Sequence, residues 1–358
     1  MLYKYFQSQG NEVFVLTSDF SHFYKKKRDR FLPFWRYVHS IPYYKNLSIT
    51  RLISHFIFAK SAFKELEAYM PELVYVLCPP NSLAYFAAQY KKKHSQTQFC
   101  LDLIDLWPET MPMGPLKKCF PFTLWRDLRN NAIQSADIII TECNLYQQKL
   151  EQVLNGKKTD TLFLTRPDSA MDSNATFNNQ NIQLCYLGSI NNIVDIDMIS
   201  LIISNLVRRK AVKLHIIGDG EKRDKLIAAA RDAGAEIEYY GKIFDDHRKR
   251  KIFDQCHFGL NIMKPQVCVG LTIKSIDYFE AGLPLLNNIG GDTWQFVKDK
   301  NIGFNITASN CSIVTDKVAL METERYLEMS SNAKYLFKKY FSATAFQIQL
   351  NNIFEKAR

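Results

Sequence analysis

An alternation of chain patterns constrains this protein more than any other feature: short apolar runs, rich in β-branched residues, are separated repeatedly by longer stretches of helical periodicity. Short apolar runs suit strands buried on both faces, and parallel strands need helical crossovers, so the pattern specifies an α/β protein with parallel sheets. In the first half, strands are expected at 12–17, 73–77, 98–103, 137–141 and 161–164, with helices around 52–69, 82–92, 122–134 and 145–154. A second series has strands at 183–187, 213–217, 236–240, 257–262 and 284–287, and helices at 197–208, 222–233 and 247–254. Between the two lies a stretch rich in Asn and Ser, DSAMDSNATFNNQN (168–181), which reads as a linker. At 358 residues the chain exceeds what one ordinary core sustains. The expected division is a first domain at 1–168, a linker at 169–181, a second domain at 182–326, and helices at 327–358 packing back towards the first domain. Two such domains would enclose a cleft, where open parallel sheets bind ligands beyond the carboxyl ends of their strands.

A hydrophobic content of 47% with 23% charged residues is that of a globular protein, and no apolar run approaches the length needed to span a bilayer. The N-terminus also lacks the basic-then-apolar pattern of a secretory signal. The eight cysteines have no C-x-x-C spacing, which favours reduced, buried thiols over a disulfide framework or a zinc site. The net charge of +10 is uneven. Nine Lys or Arg between residues 20 and 60 (25, 26, 27, 28, 30, 36, 45, 51 and 60) face one acid, Asp29, and aromatic residues are interleaved among them. Such a mixture fits an anionic membrane surface, or a basic loop over a small aromatic core; nucleic acid is the third reading and is not expected as a partner.

The segment GLTIKSIDYFEAGLPLLNNIGG (270–291) is the richest in chemistry. A loop running into a helix presents free N–H groups and a positive dipole end, which suit phosphate oxygens. Thr272 opens that helix, Lys274 adds a mobile positive charge, and Asp277 shares its face and suits a sugar hydroxyl. Gly282 ends the helix, and Pro284 prevents its continuation. Gly218, Asp219 and Gly220 follow an apolar strand in LHIIGDGEKRDKL (214–226), where glycines permit close backbone approach to a ligand, although a plain tight turn reads the same way. Gly241, Lys242 and Ile243 in YYGKI repeat that logic. In DLIDLWPET (102–110), Asp105 and Glu109 flank Trp107 at a strand end: two carboxylates and an indole, suited to sugar recognition or to packing and capping a loop. No histidine pairs with His or Cys at metal-ligand spacing, and neither a nucleophile elbow nor a Walker loop is present. Asn174-Ala175-Thr176 matches a glycosylation site and is taken as accidental.

In their order these pieces resemble glycosyltransferase family 4, retaining enzymes of the GT-B fold, in its bacterial surface-polysaccharide branch. QGNEVFVLTSDFSH (9–22), DLIDLWPET and ADIIITEC (136–143) carry the likeness in the first half. CYLGSI (185–190), LHIIGDG, YYGKI, FGLNIMK (258–264) and GLTIKSIDYFEAGLPLLNN carry it in the second. The resemblance implies two Rossmann-like domains facing each other across a cleft. It implies a nucleotide-diphospho-sugar donor, a UDP-sugar by expectation, on the second domain. The base would meet Gly241, Lys242 and Ile243, Asp277 would take the ribose, and the amides near Thr272 with Lys274 would hold the diphosphate. Gly188, Ser189, Gly218, Asp219 and Gly220 would complete the donor side, and a lipid-linked saccharide acceptor would lie near Asp105 and Glu109. No cofactor or metal is expected. The pattern departs from the family at three places. Gly270 and Asp277 stand where members carry a pair of glutamates, and Ser189 stands where an arginine is common. The chain also opens on MLYKYFQSQG and then NEVFVLTS, so the first strand and its glycine loop are expected to be missing. Those departures keep a catalytically impaired GT-B partner subunit open as an alternative. A sugar-nucleotide epimerase on the same fold is disfavoured, because no carboxylates and histidines converge.

Overall fold

The computed structural model describes residues 1–29, 32–46, 48–111, 113–168, 177 and 180–356. The chain divides into two compact units, the first comprising 1–142, 146–162 and 349–358, the second 143–145 and 163–348. The first boundary therefore falls at Leu162 rather than at 168, and most of the expected linker, including the glycosylation match at 174–176, lies outside the described residues.

The first unit is built on a parallel sheet in the order Leu73–Cys78, Gln98–Leu103, Ile138–Thr141, Thr159–Thr161. Ile138–Thr141 is buried along its whole length, as its unbroken run of isoleucines requires of an inner strand. Leu73–Cys78 alternates buried and more exposed positions, as an edge strand does. The helix Asn81–Lys93 turns Ala84, Ala87 and Ala88 inward, and these small side chains bring it close to the helix Phe122–Ser135. A separate parallel pair, Val15–Ser18 with Trp35–Val38, and a two-residue antiparallel pair, Phe20–Ser21 with Lys26–Lys27, precede the helix Ile49–Leu66. The helix Leu2–Ser8 packs Phe6 edge-on against Tyr75 and Phe354, and the Tyr5 hydroxyl donates to Asn351 Oδ1 at 2.8 Å.

The second unit holds one six-stranded parallel sheet, ordered Glu236–Gly241, Ala211–Ile217, Asn181–Leu187, Phe258–Asn261, Leu285–Asn287, Gly303–Asn305. In sequence order the strands run 3-2-1-4-5-6, the arrangement of a dinucleotide-binding sheet, and the order reverses between Asn181–Leu187 and Phe258–Asn261. The helix Ile196–Val207 buries Ile199, Ile202, Ile203 and Leu206 at helical spacing against the sheet core. The helix Thr323–Tyr340 packs on Ile273–Ala281 within this same unit, and only 349–358 of the tail belongs to the first unit. Six cysteines are buried, Cys119 is exposed and Cys268 is intermediate.

Candidate functional site

A crevice at the reversal of strand order is where an open α/β sheet binds its ligand. The residues there are set by the helix Ile273–Ala281. Thr272 is its N-cap and accepts from the Ser275 N–H at 3.2 Å. Gly282 ends it in the left-handed region at φ 69°, with the Leu283 N–H returning to the Tyr278 carbonyl at 2.8 Å. The Thr272 hydroxyl also donates to Asn261 Oδ1 at 3.1 Å. From there a chain of buried amides crosses the sheet: Asn261 donates to Asn287 Oδ1 and Asn287 to Asn305 Oδ1, each at 2.8 Å. Asn305 then donates to the Trp294 carbonyl at 2.9 Å. Three strand ends are thereby tied to the start of one helix. These asparagines were not singled out in the sequence, although each is the last residue of its strand: FGLN, LLN and GFN.

Lys274, expected to be mobile, is instead buried at 9% exposure, with its ammonium 5.1 Å from the centroid of Tyr186. Among the described residues no carboxylate pairs with it. Burial lowers its pKa to about 8. A buried lysine with one aromatic face and no counter-ion awaits an anion, or is held near the point of losing its proton. Asp277 is buried too, but it is engaged. Arg166 Nε and Nη2 donate to its oxygens at 2.7 and 3.2 Å, and Lys249 Nζ lies 3.6 Å away. The expected ribose acceptor is therefore already the anion of a two-cation cluster. Sequence reasoning missed Arg166 and Lys249, which lie far from Asp277 along the chain.

The glycine turns do structural work that the sequence left open. A Cβ on Gly218 would collide with the Gly188 carbonyl, and one on Gly220 with the carbonyl of Ile190. The Ile190 N–H donates to the Asp219 carbonyl at 3.0 Å, and the Lys222 N–H to the Ile190 carbonyl at 2.9 Å. The close approach that these glycines allow is thus to the neighbouring loop. Above Gly188, at φ 126°, the space is open, and Ser189 is exposed. Gly241 sits at φ 69° with its carbonyl accepting from Gly218, while Lys242 is exposed and Ile243 half-buried. Gly270, where the sequence resemblance would place a glutamate, has no room for a side chain: its Cβ would lie 2.7 Å from Asp292 Oδ2 and 2.9 Å from Cys143 Sγ. Asp292 is occupied in turn, accepting from the Asn144 N–H, the Asn144 amide and the Leu145 N–H.

In the first unit the loop after Gln98–Leu103 is held from within. Asp105 accepts from the Leu106 N–H at 2.8 Å, Trp107 Nε1 at 2.7 Å and the Thr110 hydroxyl at 2.6 Å. Glu109 forms a two-pronged pair with the fully buried Arg129, both contacts at 2.8 Å, and Arg129 also donates to the Trp107 carbonyl at 2.8 Å. The structure brings Asp105, Trp107 and Glu109 together in one hydrogen-bonded loop, with both carboxylates engaged by it or by Arg129.

No protein-family model matches the sequence, and no curated protein does. Solved structures do match. Sucrose-phosphate synthase from Thermosynechococcus elongatus superposes over 98% of this chain and 90% of its own, with a TM-score of 0.73 at 12% identity. HepE from Anabaena, solved with UDP and glucose, superposes over 90% of this chain and 86% of its own, with a TM-score of 0.61 at 14% identity. The lipopolysaccharide outer core galactosyltransferase WaaB, in its apo form, gives 90% and 85%, with a TM-score of 0.60 at 13% identity. At such identities the likeness establishes the fold: the chain is an α/β protein of the GT-B type.

Proposed function

We propose that this chain is a retaining glycosyltransferase that moves a sugar from a nucleotide-diphospho-sugar, a UDP-sugar, to a lipid-linked or growing glycan in surface-polysaccharide synthesis. It works at the cytoplasmic face of the inner membrane as a peripheral protein. The observation that carries the reading is Lys274: a buried ammonium that no carboxylate among the described residues pairs with, beside a capped helix start, in the unit whose six-stranded sheet reverses its strand order. In this reading Lys274, the amides at Thr272 and the open backbone at Gly188 and Ser189 hold the donor diphosphate. The turn Gly241, Lys242, Ile243 meets the base. Asp277, fixed by Arg166 and Lys249, faces the ribose with the oxygen capacity that its two cations leave. Gly218, Asp219 and Gly220 hold the adjacent loop in place. The acceptor meets the loop that Asp105 and Glu109 brace. As the bond from the anomeric carbon to the diphosphate breaks, charge grows on the departing oxygen, and a pre-placed cation and amides stabilise it without reorganising.

The test is calorimetry with UDP, followed by UDP release from UDP-sugars in the presence of lipid-linked acceptors. A folded protein that binds no UDP sinks the donor assignment. That result would favour the second reading, a GT-B partner subunit without catalysis, for which the blocked side-chain space at Gly270 and the engaged Asp277 speak. The readings also part at Asp105→Asn, which should lower turnover more than donor affinity.

A further inference from the structure

Another group of polar side chains, with two buried nitrogens that lack hydrogen-bond partners, lies in the first unit. His22 and Lys25 come from the turn of the Phe20–Ser21 and Lys26–Lys27 pair, Arg51 and His55 from the first turns of Ile49–Leu66, and Trp107 from the loop after Gln98–Leu103. The Arg51 guanidinium lies 4.3 Å from the Trp107 ring centroid and 5.7 Å from that of Tyr43. Lys25 Nζ lies 4.9 Å from the Tyr43 centroid and 3.2 Å from His22 Nδ1. The Tyr43 hydroxyl bridges the histidines, 2.7 Å from His22 Nδ1 and 3.4 Å from His55 Nε2, and His55 stacks on Trp107.

Charge in this cluster is not balanced. Arg51 gives Nη1 to the Asn46 carbonyl at 2.6 Å, but its Nε is buried without a hydrogen-bond partner, and so is His55 Nδ1. Asp105 is the carboxylate that acts on Arg51, and its oxygens already accept from Leu106, Trp107 and Thr110. Burial and the field of Arg51 lower Lys25, and the same two causes bring His22 down to about 4 and His55 to about 3, so both imidazoles are neutral at pH 7. Lys25 Nζ donates to Asn46 Oδ1 at 2.6 Å, but among the described residues neither cation forms an ion pair with a carboxylate, and one keeps an orphaned N–H; what would compensate both is an anion with several oxygens.

The geometry points to an anion-binding site in which Arg51 and Lys25, beside Tyr43 and the two histidines, take the phosphate or diphosphate of the acceptor substrate, with Trp107 walling the group it carries. The word acceptor rests on the glycosyl-transfer reading; the anion site itself rests on no residue of the second unit. A guanidinium suits this task better than an ammonium, since its planar fork matches two phosphate oxygens at once.

The experiment titrates the whole chain with inorganic pyrophosphate under saturating UDP, following the imidazole resonances of His22 and His55 by NMR and the heat of binding. Both resonances should move. Lys25→Ala and Arg51→Gln should each weaken pyrophosphate at least about tenfold, the scale of one charge-assisted contact, while UDP affinity stays unchanged. A short-chain prenyl diphosphate in neutral micelles should bind at the same histidines more tightly than pyrophosphate. Histidine resonances that stay still, or pyrophosphate affinity that survives Lys25→Ala at this half-exposed position, overturn the site. UDP that displaces pyrophosphate and moves the same resonances assigns the cations to the donor and overturns the acceptor role. Should the chain bind no UDP at all, the donor reading fails and the pyrophosphate titration still decides this one.

Discussion

Lys274 and Asp277 sit three residues apart on one helix and pull stability in opposite directions. Lys274 is charged in a place that disfavours charge, since burial brings its pKa from 10.5 to about 8, a difference that corresponds to roughly 3 kcal/mol. The unfolded chain therefore holds a proton between those two values that the folded chain has lost, and stability rises with pH across that interval. Lys274→Met should raise the thermal midpoint while weakening UDP by about 1–3 kcal/mol, and its advantage in stability should be full below pH 8 and fade by pH 10.5. Scanning calorimetry and UDP titration at pH 7, 9 and 10.5 check both signs; a variant less stable than the parent at pH 7 would show that the ammonium has a partner. UDP affinity of the parent should likewise fall as pH passes 8, because the cation that receives the diphosphate is being lost. Asp277→Asn does the reverse. It removes the carboxylate that Arg166 and Lys249 share, although Lys249 keeps Asp246 Oδ1 at 2.8 Å, so a cost of about 1.5–3 kcal/mol, centred on Arg166, should register in urea unfolding.

At the scale of elements, the asparagines that close three neighbouring strands convert sheet register into the position of one helix start. Asn287 is the middle member, donating to Asn305 and to the Ile289 carbonyl while accepting from Asn261 and the Ile289 N–H. Asn287→Leu removes the middle of a buried chain and strands amides on both sides, so a loss of about 2–4 kcal/mol in stability is expected. A smaller loss of UDP affinity should accompany it, because Thr272 loses the register of its acceptor Asn261; unchanged UDP affinity would separate the ladder from the site. The strands themselves were legible because isoleucine-rich runs such as 137–141 are buried on both faces. Trp35–Val38 was not, because it alternates exposed and buried residues inside a basic stretch, and Gly303–Asn305 was not, because three residues opening on glycine carry little periodicity. The segment 270–291 was readable as a capped helix start, since Thr272 and Gly282 act locally. The state of its charges was not. Whether Asp277 is free depends on Arg166, and whether Glu109 is free depends on Arg129, and such partners are chosen by tertiary packing, which spacing does not encode.

Over the whole molecule, the charge of +10 finds its densest expression in the stretch from 20 to 60, and the structure sorts that stretch into two layers. Phe20 and Tyr43 are buried against each other with centroids 5.0 Å apart, a small aromatic core. Phe23, Tyr24, Phe34 and Tyr44 stand 70–76% exposed beside Lys26, Lys27, Arg28 and Lys45, which are exposed as well. Among the described residues no helix is long and apolar enough to cross a membrane. Rings cost little at a lipid–water interface, and basic side chains near anionic headgroups contribute about 1 kcal/mol each. The chain should therefore sediment with vesicles containing phosphatidylglycerol and remain free of vesicles of phosphatidylcholine alone. Raising the salt to about 0.5 M, where the screening length shrinks to a few ångströms, should release most of it. The combined change Lys26→Gln, Lys27→Gln and Arg28→Gln should weaken binding by about 3 kcal/mol, near a hundredfold, with no change in UDP affinity. Phe23→Ser with Tyr24→Ser should leave a weaker binding that is more sensitive to salt, since the apolar part is gone and only the screened part remains. Equal binding to neutral and anionic vesicles would refute the electrostatic part, and an unaltered affinity in the serine pair would make those exposed rings surface without a role at the membrane.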